Sequence, residues 1–563
     1  MPEKRKKMRI IRTAAPLFFV IISAFLVASF YHNVFHVHLR HLSPSSLSPS
    51  KNQNPNLAIR EDLIRGPDPS PLRAPPDSIL FHDWEVLVVL PENPFPSSAS
   101  ALGHTCLFQD GAASPALPAG VLPRGARATF KCRMPFSVRR LRPFFTPALT
   151  RTPEILRATP AFVGNSPEML RWSSLAYESI STEDDVIVFA KGVNGRQGVN
   201  VPPSALRCIF GNGVTTAVTS SVQEVFRCGK PDRPIPGDEV KITLEIRTES
   251  VDRAHPSVAL YAPRQRTLAA EAEPALICAC TMMYNSGKFL REWVMYHATI
   301  GVERFVLYDN GSDDDMADVV EKLLEAGYHV TTILWPWPKT QEAGFSHCAV
   351  SYRDTCKWMA FVDVDEFIFS PSWTNASQPS KHMLESFLPK SPSSSSSPSP
   401  SIGQIALKCF EFGPSNRQSH PKEGVTQGYT CRRRIEQRHK SIVLLDAIDS
   451  SLVNVVHHFK LKDGYRTLRL SREVAAVNHY KYQAWLEFKK KFRRRVSAYV
   501  VDWRNPTNLA SKDRTPGLGN NPIEPVGWAG KFCEVNDSRL RDVNRQWFGL
   551  ESPTGYKLAW EDG

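Results

Sequence analysis

The feature that most constrains the fold is an alternation of apolar runs and amphipathic segments between residues 273 and 362. The apolar runs, each short enough to be a buried strand, lie at 276–283, 304–308, 328–334 and 358–362. In the segments between them, apolar side chains recur at helical spacing, as in Met316, Val319, Val320, Leu323 and Leu324. Strands that alternate with helices in this way form a parallel, doubly wound sheet, so an α/β fold is predicted here.

Acidic side chains follow two of these predicted strands. Asp309 ends the second run, and Asp363 and Asp365 come at the end of the fourth. Open α/β sheets bind ligands at the carboxyl ends of their strands, and side chains two apart on a strand share a face. Asp363 and Asp365 are therefore predicted to hold one divalent cation that faces a diphosphate. The alternative roles are structural, namely a pair of strand-end caps and, for Asp309, an N-terminal cap of the next helix.

The N-terminal 80 residues predict a membrane anchor followed by a stem. A basic tail at 1–12 precedes an uncharged, apolar stretch at 13–31, which is long enough to span a bilayer. The positive-inside rule places the tail in the cytosol and the rest of the chain in the lumen, as in a single-pass type II protein. A cleaved signal peptide is the alternative, but the apolar region is long and no small-x-small cleavage site follows. Residues 32–80 are rich in Ser and Pro and are predicted to be a flexible stem.

Residues 81–266 have a different pattern from the α/β region at 273–550. Short apolar runs alternate there with turns rich in Pro and Gly, which predicts a smaller β-rich domain. A binding module, carbohydrate-binding in particular, and a plain packing domain are both open interpretations. Within 273–550, the Ser/Pro stretch at 389–401 is predicted to be a low-complexity insertion.

Cysteine content and charge limit the compartment and the partners. The chain has 11 cysteines, which fits an oxidising compartment. Three pairs are close enough in sequence for local bridges: Cys106 with Cys132, Cys208 with Cys228, and Cys409 with Cys431. The odd count leaves at least one thiol free or intermolecular, so a homodimer stays open. The net charge of +13 favours anionic partners, but no zinc-finger, RNP or basic-zipper signature is present, so no nucleic-acid partner is predicted.

Five motifs resemble those of a known family. They are Ala-Leu-Ile-Cys-Ala-Cys-Thr-Met-Met-Tyr-Asn (275–285), Arg-Glu-Trp-Val-Met-Tyr-His (291–297), Gly-Val-Glu-Arg-Phe-Val-Leu-Tyr-Asp-Asn (301–310), Phe-Val-Asp-Val-Asp-Glu-Phe (361–367) and Val-Asn-His-Tyr (477–480). Over about 270–500 the chain resembles plant glycosyltransferase family 92, which includes the pectic β-1,4-galactan synthases. The resemblance implies a GT-A (Rossmann-like) fold, Mn²⁺-dependent inverting transfer from a UDP-sugar donor to a glycan acceptor, and residence in the Golgi membrane.

The resemblance also implies roles for single residues. Asp363 and Asp365 match the metal motif and would bridge Mn²⁺ to the donor diphosphate. Asp309 matches the acidic residue near the base or ribose of the nucleotide. His479 would complete the metal shell, with His457 and His458 as rivals.

An inverting transfer also needs a carboxylate base for the acceptor hydroxyl. Glu411 is the predicted base because it lies beside a Gly-Pro turn after the metal strand; Asp446 and Asp449 are alternatives, and Glu411 has a structural alternative role. Arg438 and Lys440, which flank a histidine before an apolar run, are predicted to contact the donor phosphates.

The resemblance to this family implies transfer of galactose from UDP-galactose onto a cell-wall glycan of the pectic galactan type. The alternatives are a transferase for another UDP-sugar, a carbohydrate-binding scaffold with an inactive transferase domain, and a nucleotidyltransferase. A nucleotidyltransferase would normally have a Gly-rich loop with Lys or Arg after the first strand, and Asn-Ser-Gly-Lys at 285–288 is a poor match to it.

Overall fold

The computed structural model describes residues 76–561 except 92–102, 152–165, 196–197, 212, 236, 238, 250, 264–272, 390–399, 491–523 and 553–554. The predicted tail, membrane anchor and nearly all of the stem lie outside the described residues, as does most of the Ser/Pro insertion. Among the helices that are described, none has the length and apolar composition needed to cross a membrane.

The first sheet has seven strands, in the order β6-β3-β4-β5-β2-β1-β7. All neighbours are antiparallel except β1 and β7. The strands are β1 (Asp77–Leu80), β2 (Glu85–Val89), β3 (His104–Leu107), β4 (Ala113–Val121), β5 (Ala128–Arg133), β6 (Ala148–Arg151) and β7 (Leu170–Arg171).

The second sheet has eight strands, in the order β14-β13-β10-β11-β12-β9-β8, with β15 paired to β13. Its neighbours are antiparallel throughout. The strands are β8 (Leu175–Ser181), β9 (Asp185–Lys191), β10 (Leu206–Phe210), β11 (Val214–Val222), β12 (Val225–Gly229), β13 (Val240–Ile246), β14 (Arg253–Ala254) and β15 (Leu260–Tyr261).

The third sheet has nine strands, in the order β18-β17-β16-β19-β23-β21-β25-β20, with β24 paired to β21. The strands of this region, including the short pair β22 and β26 and the hairpin β27 and β28, are β16 (Ala275–Met283), β17 (Arg304–Asp309), β18 (Val330–Leu334), β19 (Cys356–Phe361), β20 (Glu366–Phe369), β21 (Ser401–Glu411), β22 (Cys431–Arg432), β23 (His439–Leu444), β24 (Tyr465–Arg469), β25 (Ala476–His479), β26 (Val535–Asn536), β27 (Gly549–Ser552) and β28 (Gly555–Leu558). The α-helices are α1 (Gly287–Thr299), α2 (Met316–Glu325), α3 (Gln341–Ser351), α4 (Val425–Gly428) and α5 (Arg539–Phe548).

The doubly wound, parallel sheet predicted from the sequence is present in only part of the third sheet. Strands β16, β17, β18 and β19 are parallel and alternate with α1, α2 and α3, as the periodicity predicts. Beyond β19 the sheet becomes mixed, because β23 runs antiparallel to both β19 and β21, and β20 runs antiparallel to β25. The fold is therefore mixed α/β.

Strand β2 of the first sheet and strand β9 of the second are buried on both faces. In β2, Val86 and Val88 pack inside the first sheet's own core, whereas Leu87 and Val89 join a cluster that includes Tyr308 of the third sheet. This is the alternation expected of a strand whose two faces are both covered. The second sheet repeats the arrangement, so all three sheets share one apolar core.

Two tryptophans that flank Pro336 belong to this shared core. Trp335 and Trp337 are buried and lie against Tyr177 of the second sheet, with ring centroids 5.8 and 5.2 Å away. Both side chains therefore pack between the second and third sheets.

The disulfides agree with two of the three suggested local bridges. Cys106 bonds to Cys132, and Cys208 to Cys228. The third suggestion is wrong: Cys409 is a buried free thiol in the apolar core of the third sheet. Cys431, its suggested partner, lies on β22, which pairs with β26, and bonds to Cys533. A fourth disulfide joins Cys278 to Cys356.

A buried carboxylate connects α1 to α4. Glu292 on α1 is 2% exposed and accepts backbone hydrogen bonds from Val425 (2.7 Å) and Thr426 (3.0 Å), at the start of α4. Burial raises the pKa of Glu292 to about 7, although the hydrogen bonds from Thr426 and Val425 oppose the shift. Between about pH 4.5 and 7, Glu292 is therefore protonated in the folded protein and ionised in the unfolded chain.

We expect this proton to make stability fall as the pH rises. The contribution of Glu292 is fully present below its unfolded pKa and is lost as the pH rises through about 7. Between pH 5 and 8 the free energy of unfolding should fall by on the order of 3 kcal/mol more in the native protein than in Glu292→Gln. Denaturant titrations across this range measure the difference. The exposed Glu321→Gln on α2 is the control, and parallel curves for Glu292→Gln and the native protein would show that the carboxyl does not titrate in this range.

Candidate active site

Asp363 and Asp365 lie in the loop between β19 and β20, not on a strand. Strand β19 ends at Phe361, and the chain then turns, with the backbone N–H of Glu366 donating to the carbonyl of Asp363 (3.0 Å). The Glu366 carboxylate returns the contact by accepting from the backbone N–H of Asp363 (2.9 Å). The expectation that the two aspartates share one strand face is therefore wrong, because this turn sets their directions.

The buried ammonium group of Lys440 forms an ion pair with the carboxylate of Asp363. Lys440 Nζ on β23 lies 2.9 Å from Asp363 Oδ2 and 2.7 Å from Glu366 Oε1. The same Nζ donates to His457 Nε2 at 2.6 Å, and Gln341 Nε2 donates to Asp363 Oδ1 at 3.2 Å. Both oxygens of Asp363 are thus bonded within the protein. Lys440 is 6% exposed, and its predicted contact with the donor phosphates stays a prediction.

The charges in this cluster depend on one another. Burial raises the pKa of Asp363, but Lys440 and then His457 outweigh it, and the pKa lies well below its usual range. Burial lowers the pKa of Lys440, but Asp363 and Glu366 outweigh it, so the lysine stays charged. Burial, followed by the charge of Lys440, lowers the pKa of His457 to about 3. His457 is therefore neutral, with Nδ1 against the carbonyl of Phe361 (2.9 Å) and Nε2 free to accept from Lys440.

The strand register brings three predicted site residues together. Strand β25 lies between β20 and β21, and His479 at its end is paired with Glu366 on one side and Glu411 on the other. His479 Nε2 is 3.6 Å from Asp365 Oδ2, and His479 Nδ1 is 3.3 Å from Glu366 Oε1. Asp365, His479 and Glu411 therefore converge at one edge of the third sheet although 114 residues separate the first from the second and 68 separate His479 from Glu411.

Glu411, the predicted base, is buried and fully engaged. Its carboxylate accepts hydrogen bonds from Lys481, from Arg433 Nη1 (3.3 Å) and from the hydroxyl of Tyr482 (3.2 Å). Burial raises the pKa of Glu411, but Lys481 outweighs it, and the pKa lies below its ordinary value. Glu411 is consequently a carboxylate over a wide pH range and a weak base in this arrangement. The structural role named as its alternative fits these contacts, and its catalytic role stays a prediction.

The two remaining predicted donor-binding residues lie apart from the cluster. Asp309 Oδ1 accepts from the backbone N–H of Ser312 (2.8 Å), a local turn contact close to the capping role considered for it. Arg438 is exposed and precedes β23 with a positive φ of 60°. Its side chain is open to solvent, so the predicted phosphate contact is sterically allowed.

Two side chains of the candidate site have the chemistry to hold a divalent cation. Among the described side chains, no group of three or more His, Cys, Asp and Glu is arranged to hold a metal ion. Asp365 and His479 do provide a carboxylate and an imidazole 3.6 Å apart, and both are acceptable Mn²⁺ ligands. This donor pair fits a cation whose other ligands come from water and a bound diphosphate.

Comparison with known proteins decides the family. The sequence profile described as glycosyltransferase family 92 matches residues 273–512. A glycosyltransferase family 92 protein of Oryza sativa subsp. japonica is 41% identical over 415 residues, which cover 69% of this chain and 68% of that protein. A family 92 protein of Arabidopsis thaliana is 42% identical over 414 residues, covering 69% of each. The chain belongs to glycosyltransferase family 92.

More distant likenesses are to a galactosyltransferase and to a solved mannosyltransferase structure. A galactan β-1,4-galactosyltransferase of Arabidopsis thaliana is 32% identical over 114 residues, 18% of this chain and 22% of that protein. Among solved structures, the mannosyltransferase PcManGT from Pyrobaculum calidifontis, in complex with GDP-Man and Mn²⁺, is 11% identical and covers 40% of this chain and 62% of its own. Its TM-score of 0.25 supports no argument about fold or ligand. The family profile and the two family 92 relatives confirm the resemblance inferred from the motifs, and with it the prediction of a glycosyltransferase.

Two side chains that bond to the candidate carboxylates were not predicted from the sequence: Gln341, which donates to Asp363, and Lys481, which donates to Glu411. Gln341 starts α3 and Lys481 follows the Asn-His-Tyr motif by one residue, but neither lies in a pattern that points to a carboxylate. His457 was considered only as a rival metal ligand. A histidine in an apolar run is typical of a buried residue, and in the structure His457 is a buried, neutral side chain that accepts a hydrogen bond from Lys440.

Proposed function

We propose that this protein is an inverting glycosyltransferase that moves galactose from UDP-galactose onto a cell-wall glycan of the pectic galactan type. The observation on which the proposal rests is the convergence of Asp365, His479 and Glu411 at one sheet edge, next to the Asp363–Lys440 cluster. Galactose is favoured over other sugars by the local similarity to galactan β-1,4-galactosyltransferases.

Asp365 and His479 would hold Mn²⁺ in this proposal, and Asp363 would join them if Lys440 moved away. A bound Mn²⁺ would neutralise negative charge on the leaving diphosphate. The chain supplies cations of its own: Lys440 compensates Asp363, and Arg438, two residues earlier and just before β23, is exposed. Arg438 would contact the diphosphate, and Asp309 would face the nucleoside from the end of β17.

Glu411 is the proposed base. The acceptor hydroxyl oxygen would form a bond to the anomeric carbon while the bond from that carbon to the diphosphate oxygen breaks and UDP leaves. The hydroxyl proton would pass to the Glu411 carboxylate. Lys481 and Arg433 keep Glu411 ionised, as a base requires, and either contact would have to loosen for an acceptor to reach it.

The proposal includes a place in the cell. The basic tail and apolar stretch at the N-terminus suit a single-pass type II protein of the Golgi membrane with its catalytic domain in the lumen. Four disulfides in the described residues agree with an oxidising compartment.

The test is a donor panel with the full chain purified in a mild detergent. UDP-galactose, UDP-glucose, UDP-arabinose and UDP-xylose are offered with Mn²⁺ and β-1,4-galactan oligosaccharides, and UDP release and product mass are measured. We expect UDP-galactose to react at least about tenfold faster than the others and to extend the oligosaccharide by one hexose. Faster reaction of another donor would refute the galactose assignment. Glycan binding without any UDP release would favour the scaffold, and pyrophosphate release would favour a nucleotidyltransferase.

A further inference from the structure

The loop after β5 presents arginines and apolar side chains at the surface of the first sheet, far in sequence from the candidate active site. Phe136 is 67% exposed and Leu141 is 42% exposed. Arg140 and Arg142 are also exposed. An exposed apolar residue by itself needs no explanation, but exposed phenylalanine among arginines is the composition of a binding surface.

Three guanidinium groups of this loop are held over aromatic rings. The distances from the guanidinium carbon to the ring centroid are 5.3 Å for Arg139 over Trp84, 4.8 Å for Arg140 over Phe136 and 5.3 Å for Arg142 over Phe144. A stacked guanidinium keeps its in-plane N–H groups available for a carboxylate and loses little freedom on binding. Arg139 already donates two of its hydrogen bonds to the carbonyl of Met134 (3.0 and 2.9 Å).

The other two arginines lack an acidic counterpart inside the protein. Within the part of the chain that the structure describes, Arg140 and Arg142 form ring contacts but no ion pair with a carboxylate. Half-buried arginines elsewhere are paired, as in Arg227 with Asp185 and Arg432 with Asp537. Arg140 and Arg142 therefore offer positive charge that forms no ion pair among the described residues.

A cavity of about 340 Å³ lies beside the loop. Arg142 and Arg171 line it together with one carboxylate, that of Glu168, and the ring of Phe144 forms part of its wall. The two guanidiniums suit a carboxylate, and the glutamate can accept a hydrogen bond from a hydroxyl. A sugar acid presents both groups on one ring.

We propose that this arginine loop surface, formed by Arg140, Arg142, Arg171, Phe136 and Glu168, binds a carboxylated polysaccharide such as a chain of uronic acid residues. A concave site with only two exposed apolar side chains does not suit a flat bilayer. Nucleic acid is disfavoured because Phe144 is buried and Phe136, although exposed, is covered on one face by Arg140, so the loop offers a single ring face for base stacking. Because the surface lies on the first sheet, its binding does not depend on the donor chemistry proposed for the third sheet.

The test measures binding of a hexamer of α-1,4-linked galacturonic acid to the full chain by titration calorimetry, without nucleotide or metal. Arg140→Gln/Arg142→Gln removes two charges from the loop. The matched control is Arg466→Gln/Arg469→Gln, which removes two exposed arginines from β24 of the third sheet. The fully methyl-esterified hexamer and vesicles of anionic phospholipid are the alternative ligands, and circular dichroism checks the fold of each variant.

We expect the hexamer to bind, with affinity that falls as salt is raised and falls at least about tenfold in Arg140→Gln/Arg142→Gln. The control pair should bind as the native protein does, and the neutral ester should bind poorly. Three results would overturn the proposal: no binding of the acid hexamer, equal losses in the two pairs of variants, or loop-dependent binding to vesicles but not to the hexamer. Retained hexamer binding in a protein that fails the donor panel would still support it.

Discussion

Replacing Asp365 by Asn is expected to reduce metal-dependent sugar transfer by about 10² to 10³-fold. The substitution removes a negative charge from the pair that Asp365 forms with His479, 3.6 Å apart. Loss of the cation would remove several kcal/mol of charge stabilisation from the leaving diphosphate, and each 1.4 kcal/mol is a factor of ten in rate. His479→Gln should show a loss of the same kind. Initial rates of UDP release, with Mn²⁺ varied from micromolar to millimolar, measure both variants.

The matched control is Asp318→Asn, since Asp318 is an exposed carboxylate in the first turn of α2. It should transfer at the native rate. If Asp365→Asn kept native activity and native dependence on Mn²⁺ while remaining folded, Asp365 would not be a metal ligand. Thermal unfolding of each variant separates lost chemistry from lost structure.

Replacing Lys440 by Met is expected to destabilise the protein by roughly 3–5 kcal/mol. The ammonium is buried between Asp363 and Glu366, and removing one partner of a buried ion pair leaves the other charge uncompensated. The free energy of unfolding from denaturant titration gives the size of the loss. Millimolar Mn²⁺ should raise the melting temperature more in Lys440→Met than in the native protein, because a cation can then replace the missing charge near Asp363.

A surface pair provides the comparison for Lys440. Lys408 lies on the neighbouring strand β21 and contacts Glu436 at 2.5 Å, but its side chain is 48% exposed. Lys408→Met should cost less than about 1 kcal/mol. The double variant Glu366→Gln/Lys440→Met should be less destabilised than the sum of its single changes by at least about 1 kcal/mol. Additive effects would show that the two groups do not interact.

The α/β part of the fold could be predicted closely because local pattern and tertiary contacts agree there. The apolar run predicted at 304–308 is β17 (Arg304–Asp309), and the helical run beginning at Met316 is α2. The antiparallel half of the third sheet could not be predicted in the same way. Strands β20, β21, β23 and β25 pair in an order unrelated to their sequence order, and no local pattern encodes the choice of neighbour.

The candidate site shows the same division. Residue type and position at a strand end were sufficient to single out Asp365, whereas His479 was singled out through the resemblance to family 92; the strand register then places the two together. The surroundings of Asp363 were not predictable, because a lysine 77 residues away in sequence reaches it only through the pairing of β19 with β23. A lysine before an apolar run is compatible both with a phosphate contact and with a carboxylate contact. The strand pairing, which the local sequence does not encode, decides which anion Lys440 contacts.

The apolar core shared by the three sheets has a consequence for the limits of the functional unit. The family 92 profile begins at residue 273, just before β16, yet Leu87 and Val89 of the first sheet cover apolar side chains of the third. A chain cut at the profile boundary would expose the faces of Tyr308 and Trp335 to water, and large apolar patches of this kind lead to aggregation. The shortest piece suited to recombinant production, or to exchange between proteins during evolution, therefore starts before β1 and is larger than the profile by which the family is defined.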